Sequence, residues 1–174
     1  FLQHYYDANG VPFRSRLIAN FSKTAKLGAL MPRAYNFFMT NKVVSKVVKK
    51  ATGFAVERSM PTIYHTTLKK WFDKRSYSVG NQNTGKRKVY FFCDEFTNYQ
   101  DTEIGMKAIL LLERLGFEVI IPKHEESGRA QLSKGLLRDA KKIAKQNINL
   151  LKNVITADTP LVGIEPSAIL TFRD

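Results

Sequence analysis

The chain has 174 residues, 44% of them hydrophobic, with a single cysteine. That length suits one ordinary domain with an extension and is too short for a complete multi-cofactor enzyme, while the apolar content excludes wholesale disorder; one cysteine excludes an internal disulfide, a four-thiolate zinc site or an all-cysteine iron–sulfur cluster made by this chain alone. The formal charge of +13 is unevenly placed, because residues 1–90 carry 17 Lys/Arg against 3 Asp/Glu and residues 91–174 carry 11 against 12.

The first half therefore reads as a basic helical arm, residues 1–85. Pro12 suits a first helical turn, and Phe13, Leu17, Ile18, Phe21 and Ala25 recur at three-to-four spacing, which predicts a helix from Pro12 to Leu30. Pro32 interrupts it. A short helix is expected from Arg33 to Met39, and Asn41 caps a third that reaches Ala51 before Gly53 stops it. Residues 54–65 look extended, Thr66 or Thr67 caps a helix holding Leu68, Trp71 and Phe72, and SVGNQNTGKRK is a turn-rich linker with a domain boundary near Gly85. Leu27, Leu30, Phe37, Phe38, Val43 and Val47 alternate with lysines, the composition of an interfacial amphipathic helix or of one packed on a neighbouring domain. Such a surface attracts the phosphates of anionic lipid or nucleic acid, or an acidic partner. Nucleic acid is disfavoured because no zinc-finger spacing, RNP strand or KH loop is present.

From residue 86 the pattern changes. VYFFC is a short buried strand that ends in an acidic loop, DEFTNYQD; a helix from Thr102 to Leu115 follows, then a second strand, FEVIIP. Leu132 to Asn153 is a long basic helix whose Leu136, Leu137, Ala140, Ile143, Ala144, Ile148 and Leu151 face inward. LVGI is a third strand, and Pro166 opens a last helix. Residues 86–174 are thus expected to form a small three-layer α/β domain with a parallel sheet, β-α-β-α-β-α. The loops at the carboxyl ends of its strands begin near Asp94, Lys123 and Glu165, and sites form at that edge.

Three segments, FFCDEFTNYQDTEIG, ESGRAQLSKGLL and VGIEPSAILTFRD, resemble the cysteine-rich (Cys-Cys-Gly) domain of heterodisulfide reductase subunits and anaerobic glycerol-3-phosphate dehydrogenase. The nearest resemblance is to the carboxyl-terminal part of FAD-linked oxidases of the D-lactate and glycolate dehydrogenase type, and FLQHYYDANGVPFRSRL looks like the segment that follows two ferredoxin-type cysteine clusters there. The resemblance implies an electron-transfer module of a larger protein. FAD and 4Fe-4S clusters would lie in its other parts, and the partners would be flavin and ferredoxin-like domains of the same polypeptide or complex. It also implies a cytoplasmic location, or a peripheral one on the inner face of the cytoplasmic membrane. The chain starts without Met or a signal pattern, which likewise suggests a fragment.

At the positions that match the family's cluster ligands the cysteines are replaced. Glu95 stands in the first loop, Glu126 and Ser127 before Gly128, and Glu165 and Ala168 around Pro166-Ser167; Cys93 is two residues from the first position. Soft donors are therefore missing, and no cluster is expected here. The module is either a degenerate scaffold that docks the flavin or ferredoxin domain, or a site of altered chemistry. His124, Glu95, Glu126 and Glu165 could form a hard metal site, and Ser127, Gly128, Arg129 and Lys134 could hold an anion. Ordinary roles are also open: Glu165 caps the helix at Pro166, Glu126 pairs with Arg129, and Glu95 is solvated. Ser127 lies near His124, but no GxSxG elbow supports a triad, and no loop reads as a dinucleotide fingerprint. Cys93 is expected to be a buried strand-end residue.

Overall fold

The computed structural model describes residues 1–79 and 85–173, with side chains left aside for residues 76–79. Residues 80–84 of the expected linker lie outside the described residues. The arm is a succession of short helices, α1 (Leu2–Asn9), α2 (Phe13–Ala19), α3 (Phe21–Gly28), α4 (Pro32–Thr40) and α5 (Val44–Thr52), and after an irregular stretch comes α6 (Leu68–Val79).

The single helix expected over Pro12 to Leu30 is two helices. Asn20 breaks it, with φ −101° and ψ 25° and its side-chain amide bonded back to the Arg16 carbonyl at 2.8 Å, the local competition that makes Asn a poor helix-interior residue. Asn41 caps α5 as expected, its Oδ1 accepting from the Val43 and Val44 amides at 3.0 and 3.1 Å. Gly53 ends that helix at φ 74°, the left-handed geometry glycine adopts without strain. At the start of α6 the Thr67 hydroxyl accepts from the Lys70 amide at 3.2 Å. Helix α1 forms where no element was expected, and Asp7 holds it to the second half of the chain through a bidentate pair with Arg138 at 2.9 and 2.7 Å.

The second half follows the expected order: β1 (Arg87–Phe91), α7 (Glu95–Tyr99), α8 (Thr102–Arg114), β2 (Phe117–Ile120), α9 (Arg129–Ser133), α10 (Leu137–Leu151), β3 (Leu161–Val162) and α11 (Pro166–Ile169). The sheet is parallel with order β2-β1-β3; Val89 pairs with Val119 and Phe91 with Val162. Leu68, Val89, Phe91, Cys93, Ile109 and Val119 form its core, with Trp71 and Phe72 packed against it. Helix α6, although it belongs to the arm in sequence, thus supplies part of the core.

Two stretches differ from expectation. DEFTNY, read as a loop, closes into α7 because the Asp94 carboxylate caps the Phe96 and Thr97 amides at 2.9 and 3.0 Å. The long basic helix begins at Leu137 instead of Leu132, because Gly135 takes φ 72° and separates α9 from α10. Within α10, Ala140 and Leu151 are buried, but Leu137 and Ile148 are exposed and Asn147 is buried in their place.

Candidate functional site at the carboxyl edge of the sheet

The chain leaves β1 for β2 on one side and later crosses to β3 on the other, so the carboxyl end of β1 is the point where the strand order reverses. In an open parallel sheet the crevice for a site lies there. Phe92, Cys93 and Asp94 emerge from β1 into this position and are buried.

The first two loops meet through Glu95 and Ser127. Glu95 is 4% exposed and Ser127 6%; the Ser127 amide donates to Glu95 Oε2 at 3.0 Å and its hydroxyl to Oε1 at 2.7 Å. Ser127 Oγ in turn accepts from the Arg129 amide at 3.1 Å. Gly128 makes this possible by taking φ 77° directly after Ser127, which turns the chain into α9. The third loop reaches the same residue, since the Thr171 hydroxyl donates to the Ser127 carbonyl at 3.2 Å. Three segments separated by dozens of positions therefore meet at Ser127.

Glu95 is accordingly not solvated. Burial raises its carboxyl above the usual carboxylate range, and the two bonds from Ser127 oppose that rise by favouring the ionised form. Asp94 behaves in the same way. Desolvation raises it, and the bonds from Thr97 and Phe96 counter the rise.

The other candidates have separate partners. Glu126 accepts a short hydrogen bond from the Ser22 hydroxyl of α3, so it ties the arm to the second loop; the expected pair with Arg129 is not the contact it makes. Gln131 adds a second tie, donating to the Ala19 carbonyl at 2.9 Å. Glu165 caps α11, accepting from the Ala168 amide at 2.8 Å and from the Ser167 hydroxyl at 2.7 Å. Ala168 is fully buried and offers only a methyl group.

His124 is buried, with its Nδ1–H on the Glu125 carbonyl at 2.5 Å and its ring against Phe92 at 4.5 Å. Desolvation first, and the charge of Lys69 second, lower its pKa to about 4. The ring is neutral at pH 7, and its Nε2 has no hydrogen-bond partner among the described residues. Cys93 is a buried strand-end residue as expected, and burial pushes its thiol up to about 12, far from a reactive thiolate.

These placements decide what the site can hold. Glu95, Glu126, Glu165 and His124 each bond a different protein group, and among the described residues no cluster of three or more His, Cys, Asp or Glu is arranged to hold a metal ion. Ser127 commits both of its donors to a carboxylate, which takes it away from Gly128, Arg129 and Lys134 as an anion cradle. The donor set also does not fit a thiolate-held iron–sulfur cluster, because Glu95, Glu126, Ser127 and Glu165 offer oxygen atoms already bonded to protein groups and Ala168 offers a methyl group.

One residue of the site was passed over in the sequence. Asn147 of α10 is buried, and its Oδ1 accepts from the Glu125 amide while its Nδ2 donates to the Glu126 carbonyl, both at 2.8 Å. It fixes the second loop by satisfying both faces of its backbone. The signal was there: Asn147 lies seven residues after Ala140 and four before Leu151, on the inward stripe.

The fold and this edge define a small parallel α/β domain whose three carboxyl-edge loops are fastened together by oxygen and amide groups. Over its whole length the chain is similar to curated D-2-hydroxyglutarate dehydrogenases: 29% identical over 182 residues to that of Escherichia coli K12 and 26% over 182 residues to that of Pantoea ananatis. It is 24% identical over 177 residues to that of Haemophilus influenzae, covering 98% of this chain. The chain spans only 18% of the length of the first two and 17% of the third. No family model matches, and no solved structure matches.

Proposed function

We propose that the chain is a docking module of a flavin-linked hydroxy-acid dehydrogenase of the D-2-hydroxyglutarate type, with its former cluster site closed by a hydrogen-bonded carboxylate. Three relatives of that name, each matching 98% or more of this chain, support the family. The Glu95–Ser127 pair carries the choice of scaffold over electron relay. A relay needs a centre that changes oxidation state, and the three loops here meet around groups that do not. The electrons, in this reading, pass through iron–sulfur and flavin groups of the remaining dehydrogenase, and the module holds those parts in place. The hydroxy acid is D-2-hydroxyglutarate, more specific than the D-lactate and glycolate type suggested by the resemblance. Capture of the tagged chain from its cell of origin tests the reading. The expected result is co-purification of acid-releasable flavin with D-2-hydroxyglutarate-dependent dye reduction; a chain isolated alone, without flavin in any associated polypeptide, contradicts it.

A second reading has its own observation. Between Asp7 and Glu57 the sequence contains nine lysines and arginines and no carboxylate, and Leu27, Leu30, Phe37, Phe38, Val43 and Val47 are exposed among them. This combination suits the surface of an anionic membrane, with apolar side chains in the interface and cations at the headgroups. No helix among the described residues is long and apolar enough to cross a membrane. Co-sedimentation with vesicles containing phosphatidylglycerol, and its loss in zwitterionic vesicles or at high salt, supports this peripheral contact. Equal sedimentation with both vesicle types removes it.

A further inference from the structure

Where the arm meets the α/β domain, their surfaces enclose a cavity of about 610 Å³, within the ~300–1,000 Å³ typical of small-molecule sites. One wall comes from α2 to α5 and the stretch 54–61, with Leu17, Tyr35, Val48 and Phe54 among its residues; the other comes from α7 and α9, with Phe96 and Ala130. The walls are braced across the junction by the stacked rings of Phe21 and Phe96, 5.5 Å apart, and by the Ser22–Glu126 bond. The cavity is thus part of the folded junction.

Its chemistry is asymmetric. The hydroxyls of Thr24, Thr52 and Ser133 each donate to a backbone carbonyl of their own helix, at 2.7, 2.6 and 2.9 Å, which leaves mainly hydrocarbon facing the interior. Among the described residues that line it there is no carboxylate, and the two ionised groups are Arg58 and Arg129, one from each wall. Both are exposed, so they stand where the cavity opens to solvent, and neither forms an ion pair among the described residues. An apolar interior with unpaired guanidinium groups at its edge favours an anionic head joined to an apolar body, since Arg presents a planar fork that matches carboxylate and phosphate oxygens.

From this geometry we infer that the cavity is a binding site for a single-tailed amphipathic anion, with the tail among the residues of α2 to α5 and the carboxylate or phosphate head at Arg58 and Arg129. Its outer wall is continuous with the loop junction, because Phe96 follows Glu95 and the Arg129 amide bonds Ser127. Occupancy would stabilise the attachment of the arm to the domain. The inference does not depend on the dehydrogenase reading.

Calorimetric titration of the protein with dodecanoate and with dodecyl phosphate, each below its micellar concentration, tests it. Dodecanol and dodecyltrimethylammonium serve as uncharged and cationic controls. Saturable one-to-one binding of at least one anion is expected, with a preference of about tenfold or more over both controls, the scale of a hydrogen bond to a charged group. Which anion binds more tightly identifies the head. The double substitution R58A/R129A lies at exposed positions, and it should erase that preference while the circular dichroism and melting temperature stay as in the parent. Filling the cavity with Ala130→Trp should abolish binding of all four compounds; if that variant does not fold, the arginine variant decides alone. No saturable binding of either anion to the folded protein overturns the inference. So does equal affinity for anion and cation, or a preference unchanged in R58A/R129A.

Discussion

Replacing Glu95 with alanine removes the acceptor of two hydrogen bonds at the junction of the three loops. The Ser127 amide then stays buried without its partner, which costs about 1–3 kcal/mol, and the lost side-chain volume adds to this because the site is closed by packing. Against this stands the relief of no longer burying a carboxylate, whose ionised form desolvation disfavours. The net expectation is a loss of about 2–4 kcal/mol for E95A, and about 1–2 kcal/mol for S127A, which keeps the backbone bond. Because the two side chains act on each other, the double variant should be only slightly less stable than E95A, giving a coupling energy of about 1 kcal/mol or more. Urea unfolding monitored by the fluorescence of Trp71, which packs against the domain core, reads all four corners of the cycle. Single variants within about 0.5 kcal/mol of the parent, or strictly additive losses, would refute the role given to this pair.

His124 makes stability depend on pH. Its folded pKa of about 4 lies below the ordinary histidine value of 6.5, so the unfolded chain binds the proton more readily and stability falls as pH drops from 6.5 towards 4, by up to about 3 kcal/mol. His124→Gln should flatten that part of the curve in denaturant titrations at several pH values. Gly105→Ala places a methyl 2.5 Å from Leu68 Cδ2 and 2.8 Å from Thr97 Cγ2, so α8 is forced away from α6 and α7 at a cost of about 1–3 kcal/mol, measurable as a lower melting temperature. Cys93 should resist Ellman's reagent in the native protein and react at once in denaturant, because its thiol is buried and held near 12; rapid native labelling would show that the edge opens.

The architecture was legible where hydrophobic period and capping agree. VYFFC, FEVIIP and the Thr102 helix carry their own signals, and the parallel connection follows from their spacing. The convergence of the three loops was legible from topology alone, as was the cap Glu165 gives to α11. What stayed hidden depends on contacts between distant segments. Nothing local distinguishes a solvated Glu95 from one buried on Ser127, and nothing in the arm announces that Ser22 reaches Glu126. Short polar residues mislead in both directions: Asn20 splits a helix that periodicity draws as one, and Asn147 is buried on a face where the pattern places Ile148.

Anaerobic reconstitution of the isolated chain with iron(II) and sulfide, followed by iron and acid-labile sulfide analysis and low-temperature electron paramagnetic resonance, tests the closed-site account most directly. The account predicts a folded protein that retains neither element above background and shows no cluster signal. Stoichiometric iron and sulfide with a cluster spectrum, lost on Glu95→Ala or Ser127→Ala, would contradict it.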